Sequence, residues 1–181
     1  MKGILFFLLL CSANLFAQDS NKLHYLDFVE SYYDRETKKP LYIYDNINGK
    51  IVDTLVSTES KNSWYKIAIL ESDYGWFKIK NIQRIPDVYK NYGYENYWVK
   101  ASNFLITINS YNENRRVYLY DEPTKASNKI HKTDSFQLVN IIETSELWAK
   151  VSFVVGKKTV TGWLNYQDQC AYPWTTCPKY E

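Results

Sequence analysis

Side chains able to do covalent or acid–base chemistry are sparse in this chain. It holds three cysteines and two histidines in 181 residues. Cys170 and Cys177 bracket the segment Ala171-Tyr172-Pro173-Trp174-Thr175-Thr176. A redox pair usually has two intervening residues, and a metal centre needs more ligands than two thiols. The pair therefore reads as a disulfide closing a small loop, worth about 2–3 kcal/mol on the chain-entropy model. His24 stands near the start of the mature chain, and His131 falls in what reads as a turn. Neither has a nucleophile motif beside it. No Gly-rich phosphate loop and no metal-spaced His cluster is present. Asp34, Glu36, Glu71 and Glu143 read as solvated turn residues. A glycosidase would need two carboxylates that the fold alone could bring together. The inventory points away from an enzyme and calls for no metal and no cofactor.

Aromatic residues are the other resource, with 17 Tyr, 8 Phe and 6 Trp. Their placement follows from one stretch. Leu70-Glu71-Ser72-Asp73-Tyr74-Gly75-Trp76-Phe77-Lys78-Ile79 returns without a gap as Ile142-Glu143-Thr144-Ser145-Glu146-Leu147-Trp148-Ala149-Lys150-Val151. Each copy reads as strand, polar turn and strand. Side chains alternate along a strand, and a lysine does not belong in a core. Lys78 therefore sends Trp76 outward and Phe77 and Ile79 inward; Lys150 does the same for Trp148, Ala149 and Val151. Leu41, Ile43, Val99, Val117, Leu119 and Leu164 complete the inward set. The opposite face then carries Tyr42, Tyr44, Trp76 and Trp98 in the first copy. It carries Tyr118, Tyr120, Trp148 and Trp163 in the second. These rings combine broad apolar surface with one hydrogen-bonding group each, which suits contact with peptides, sugars or a protein. They would equally serve as a second packing layer.

The elements that must hold these rings are strands. Val, Ile, Thr, Tyr, Phe and Trp are abundant, and no window shows sustained helical periodicity. Leu41-Tyr42-Ile43-Tyr44-Asp45 matches Val117-Tyr118-Leu119-Tyr120-Asp121. Phe28–Pro40 aligns on Phe104–Arg116, Lys50-Ile51 falls near Lys129-Ile130, and Tyr97-Trp98-Val99 falls on Gly162-Trp163-Leu164. Anchors in the same order in both halves mark an internal repeat. The expected division is a first unit over 24–104, a second over 105–169 and a disulfide-closed tail over 170–181. The first unit carries a long Tyr-rich connection, Tyr89–Tyr97, that either recognises a partner or folds over its own barrel.

The N-terminus has Lys2, an apolar run from Ile4 to Leu10, and Leu15-Phe16-Ala17 before Gln18. That pattern reads as a signal peptide over 1–17, placing the protein in the periplasm or outside the cell. A large Leu10 before Cys11 argues against lipidation there. The formal charge of +2 gives no electrostatic footprint for nucleic acid. No later run is long enough for a transmembrane segment. The sequence sets no oligomeric state.

Each copy resembles a bacterial SH3-like (SH3b) domain. The resemblance rests on Val117-Tyr118-Leu119-Tyr120-Asp121-Glu122-Pro123, Trp148-Ala149-Lys150-Val151 and Gly162-Trp163-Leu164. The second copy fits along most of its length; in the first, Tyr97 replaces the glycine before Trp98. It implies an all-β protein of two small, partly open SH3-like barrels packed in tandem, and a family that usually binds rather than catalyses. Members often attach hydrolases to the cell wall through peptidoglycan peptides. The function expected is thus an exported, non-enzymatic protein that contacts cell-wall peptide or a protein partner through its aromatic faces. The alternative is a protein inhibitor or immunity factor against an enzyme of the same compartment.

Overall fold

Short alternating runs punctuated by Asn, Asp and Gly fold as antiparallel strands. The computed structural model describes residues 27–56, 64–85, 92–108, 116–133 and 137–170. The signal segment, Cys11, His24, Tyr89 and Cys177 lie outside them. The strands are β1 (Val29–Tyr33), β2 (Leu41–Tyr44), β3 (Ile51–Leu55), β4 (Trp64–Asp73), β5 (Trp76–Ile85), β6 (Trp98–Lys100), β7 (Phe104–Ile108), β8 (Val117–Tyr120), β9 (Lys129–Thr133), β10 (Leu138–Ser145), β11 (Trp148–Val155), β12 (Lys158–Leu164) and β13 (Gln169–Cys170). Short 3-10 turns at Arg35–Thr37 and Tyr166–Asp168 complete the regular structure.

The protein is all-β, and its strands join in one antiparallel sheet whose path does not close on itself. The order is β3-β2-β6-β5-β4-β1-β7-β10-β11-β12-β8-β9, with β13 added to β7. Read outward from the central β1–β7 pair, both halves have the same order. Tyr32 pairs with Leu105 and Tyr33 with Phe104 at that centre. β7 then serves both halves, because Thr107 and Ile108 pair with Cys170 and Gln169 of β13.

The repeat extends to the irregularities. The β4–β5 ladder slips between Ile69 and Glu71, and the β10–β11 ladder slips between Ile141 and Glu143. The β2–β3 ladder slips after Ile43, and the β8–β9 ladder slips after Leu119. A bulge adds twist and re-aims side chains, so matching bulges give both halves the same curvature.

Every residue that alternation sends inward is buried. Leu41, Ile43, Phe77, Ile79, Val99, Val117, Leu119, Ala149, Val151 and Leu164 are each at most 3% exposed. They belong to one apolar cluster that runs through both halves.

Three sequence expectations need correction. The first strand was aligned one residue out of step. Glu30 pairs with Ala68 while Leu105 pairs with Asn140, so Glu30 corresponds to Leu105, not Ile106. The burial patterns of β1 and β7 then coincide. A one-residue shift exchanges faces, and only the hydrogen-bond ladder fixes it. His131 lies in β9, not in a turn, and its ring meets Phe153 edge-on at 5.7 Å. Glu71 and Glu143 lie in strands, each directly opposite a lysine, because β4 and β10 run further than the turn residues suggested.

Candidate functional site

The repeated Glu, Trp and Lys of the sequence assemble into a cross-strand row. Glu71 of β4 faces Lys78 of β5, Lys78 faces Trp98 of β6, and Trp98 faces Tyr44 of β2. In the second half, Glu143, Lys150, Trp163 and Tyr120 form the same row across β10, β11, β12 and β8. Lys78 Nζ is 3.2 Å from Glu71 and 5.8 Å from the Trp98 ring centre. Lys150 Nζ is 2.9 Å from Glu143 and 5.4 Å from the Trp163 ring centre. A lysine that satisfies a carboxylate on one side and an indole face on the other is held in one orientation. At such partly exposed sites each contact is worth about 0.5–1 kcal/mol.

The remaining tryptophans pack against the rows. Tyr44 meets Trp76 edge-on at 4.9 Å, and Tyr120 meets Trp148 edge-on at 5.5 Å. Lys100 Nζ lies 5.6 Å above Trp76, and Lys129 Nζ lies 4.6 Å above Tyr118. All eight rings thus sit off the core face, as alternation required, but they are not equally open. Trp76 and Trp163 are 6% exposed, whereas Tyr42 is 41% exposed. Tyr44, Trp98, Tyr118, Tyr120 and Trp148 are half-buried. Alternation assigns a face; it does not say whether neighbouring lysines and tyrosines will cover it.

The first half adds a cleft. Asp34 N–H donates to the Asn103 carbonyl at 2.8 Å, tying the chain after β1 to the chain after β6. Asp34 also caps the 3-10 turn, accepting from Glu36 N–H at 2.9 Å. Lys38 then takes a positive φ of 52°, and the chain turns back so that Lys39 and Pro40 lead into β2. Tyr33 Oη donates to the Pro40 carbonyl at 3.3 Å. Between these walls lies an open cleft of about 420 Å³ lined by Tyr33, Lys39, Tyr42, Tyr44, Lys100 and Asn103, among others. Its size falls within the range of about 300–1,000 Å³ usual for small-ligand sites. The sequence reading singled out Tyr42 and Tyr44 but missed Tyr33, Lys39, Lys100 and Asn103. Lys100 was legible, because it shares strand parity with Trp98. Lys39 and Asn103 were not, since they lie in loops distant in sequence that only the fold brings to one cleft.

The Tyr-rich connection folds inward where it is described. Tyr92, Tyr94 and Tyr97 pack against the core. Tyr92 and Tyr94 stack at 6.1 Å, and Tyr65 meets Tyr92 edge-on at 6.0 Å. Tyr94 Oη donates to the Asp53 carboxylate. Burial, and then that hydrogen bond, raise the Tyr94 hydroxyl above its usual range, and the Tyr94 hydrogen bond holds Asp53 below the usual carboxylate range.

Cys170 is buried in β13 and is not a free thiol. Among the described residues, no group of three or more His, Cys, Asp or Glu is placed to hold a metal, and no helix is long and apolar enough to cross a membrane.

No family model and no curated protein matches the chain. Among solved structures it is similar to NlpC2 from Trichomonas vaginalis, at 13% identity and a TM-score of 0.31, over 81% of this chain and 49% of that one. It is also similar to NlpC1 from Trichomonas vaginalis, at 12% identity and a TM-score of 0.31, over 83% and 48%. The chain thus spans about half the length of each. At that level of likeness the comparison carries no argument about what this chain does.

Proposed function

We propose that this chain is an exported, non-enzymatic binding protein made of two SH3-like, partly open barrels, and that it contacts cell-wall peptide or a protein through the outer aromatic face of the first. In this reading the start of β7 closes the first barrel, and β13, following its 3-10 turn, closes the second. A Cys170–Cys177 bridge would secure the tail beyond β13. Residues 1–17 would direct export.

The observation that carries the reading is the cleft beside Tyr42 and Tyr44. Three tyrosines, Tyr33, Tyr42 and Tyr44, and two lysines, Lys39 and Lys100, line one concave surface. That is a recognition surface of few polar groups on a rigid scaffold. The two NlpC chains add nothing to it. The reading of the Tyr-rich connection as an inhibitory contact loses support, because Tyr92, Tyr94 and Tyr97 are engaged with the protein's own core.

The test is retention on purified peptidoglycan sacculi. Tyr42→Ala and Tyr44→Ala should each lower retention several-fold with an unchanged circular-dichroism spectrum. Retention equal to that of the parent protein in both variants would remove the aromatic face from the proposal.

A further inference from the structure

The cleft is cationic as well as aromatic. Lys39 and Lys100 both line it, and no carboxylate does. Among the described residues neither ammonium has a carboxylate partner. Lys100 rests above the Trp76 ring, which leaves its charge unneutralised. Four other strand lysines are paired with carboxylates: Lys66 with Glu30, Lys78 with Glu71, Lys80 with Asp27 and Lys150 with Glu143. What distinguishes Lys39 and Lys100 is that both line one cleft together with tyrosines.

The second half differs at three of the lining positions. Aligned on Trp98 and Trp163, Lys100 corresponds to Asn165 and Asn103 to Asp168. Asn165 is buried, and its side chain accepts from Gln167 N–H at 3.1 Å as a cap. Asp168 is buried and acidic. Tyr33 corresponds to Ile108, which is fully enclosed in the core. Both halves keep the Tyr–Trp–Lys row, whereas these three lining positions differ.

We infer that this cleft takes the free C-terminal carboxylate of a short peptide, with Lys39 and Lys100 receiving the carboxylate and Tyr42 and Tyr44 carrying the peptide body. Lysines act as point charges and accept a carboxylate without demanding the planar, bidentate geometry of arginine. The rings supply apolar contact area with little loss of side-chain entropy. Two exposed ammonium groups also make the interaction sensitive to salt, since charges are screened over about 8 Å at physiological ionic strength. This inference rests on the reading of the cleft as a binding surface and narrows it to one ligand chemistry.

The experiment titrates the intact mature protein with an acetylated peptide ending in D-Ala-D-Ala, once as the free acid and once as the C-terminal amide, following chemical shifts of tyrosine and lysine side chains. The free acid should bind about tenfold or more tightly than the amide, the discrimination expected when a charge-assisted hydrogen bond is lost. Lys39→Gln and Lys100→Gln should each weaken the acid about tenfold and leave the amide unchanged, while Lys157→Gln at a distant hairpin tip changes neither. Lys39 sits in an exposed turn, so its variant keeps the test valid if Lys100→Gln unfolds. Acid and amide binding equally, with Tyr42→Ala abolishing both, would overturn the carboxylate site and leave the aromatic surface standing. Binding of neither peptide at millimolar concentration would overturn the carboxylate site as well, and sacculus retention would then decide the broader reading separately.

Discussion

Ser72 and Thr144 hold matching positions in the two copies of the repeat and bond to each other. Ser72 Oγ donates to the Thr144 carbonyl at 3.0 Å and accepts from the Thr144 N–H at 2.8 Å. The contact joins β4 to β10 beside the β1–β7 pair, so the seam between the halves is made by equivalent elements meeting each other. It is not fully symmetric, because the Thr144 hydroxyl is buried without a partner. Removing a buried donor or acceptor leaves its partner unsatisfied, whereas removing an unpartnered hydroxyl does not. Ser72→Ala should therefore cost about 1–3 kcal/mol. Thr144→Val, which replaces the idle hydroxyl with a methyl, should be neutral or stabilising. Urea denaturation of both variants measures the difference; equal losses would contradict this account of the seam.

Trp76 and Trp163 belong to the outer face and yet are buried, so their loss should act on stability. Trp76→Ala and Trp163→Ala should each cost about 3–5 kcal/mol, the usual cost of emptying a large aromatic site. Tyr42→Ala, at a more open position, should cost less than about 1 kcal/mol by the rule for surface substitutions. Thermal unfolding read beside sacculus retention separates the two classes. A Trp163 variant as stable as the parent protein would show that this ring is not the structural cover the geometry makes it.

Gly162 stands where the first half has Tyr97. A Cβ at Gly162 would come within 2.9 Å of Leu119 Cβ and 3.1 Å of the Tyr120 carbonyl. Gly162→Ala should therefore destabilise by about 1–3 kcal/mol through overpacking of the β12–β8 crossing. Gly75, with a φ of 84° and nothing within 4 Å of its Cβ position, should resist substitution only through backbone strain. Melting temperatures of Gly162→Ala and Gly75→Ala compare steric and conformational costs, and the larger drop should fall on Gly162→Ala.

The Asp53–Tyr94 pair predicts two limits of pH. Asp53 has a depressed folded pKa, so its contribution is present above the ordinary carboxylate pKa and is lost as pH falls through the folded value. Tyr94 has a raised folded pKa, so its contribution is complete below about pH 10, the unfolded value, and is lost as pH rises through the folded one. The pair should thus tie the connection to β3 between about pH 4 and pH 10. Tyr94→Phe should flatten both limbs of a stability-against-pH curve, and absorbance at the phenolate band should show Tyr94 ionising above the usual tyrosine range. A variant with the parent's alkaline limb would refute the assignment.

Much of this architecture was legible from residue order. Alternation around Lys78 and Lys150 identified the inward residues because burying an ammonium is too costly for any register that would place it inside. The repeat announced that whatever strand order one half adopts, the other would share. Alternation is a local rule, however, and three things lay beyond it. The bulges after Ile69 and Ile141, and the true match of Glu30 with Leu105, depend on ladders between distant strands. The cover over Trp76 and Trp163 depends on lysines and tyrosines delivered by other strands. The cleft lies where loops far apart in sequence meet, joined there by the Asp34 N–H to Asn103 carbonyl hydrogen bond and the Tyr33–Phe104 pairing. The sequence by itself decided which face each aromatic ring occupies; only the tertiary structure decided which rings are open, because exposure is set by neighbours that strand pairing brings in from elsewhere in the chain.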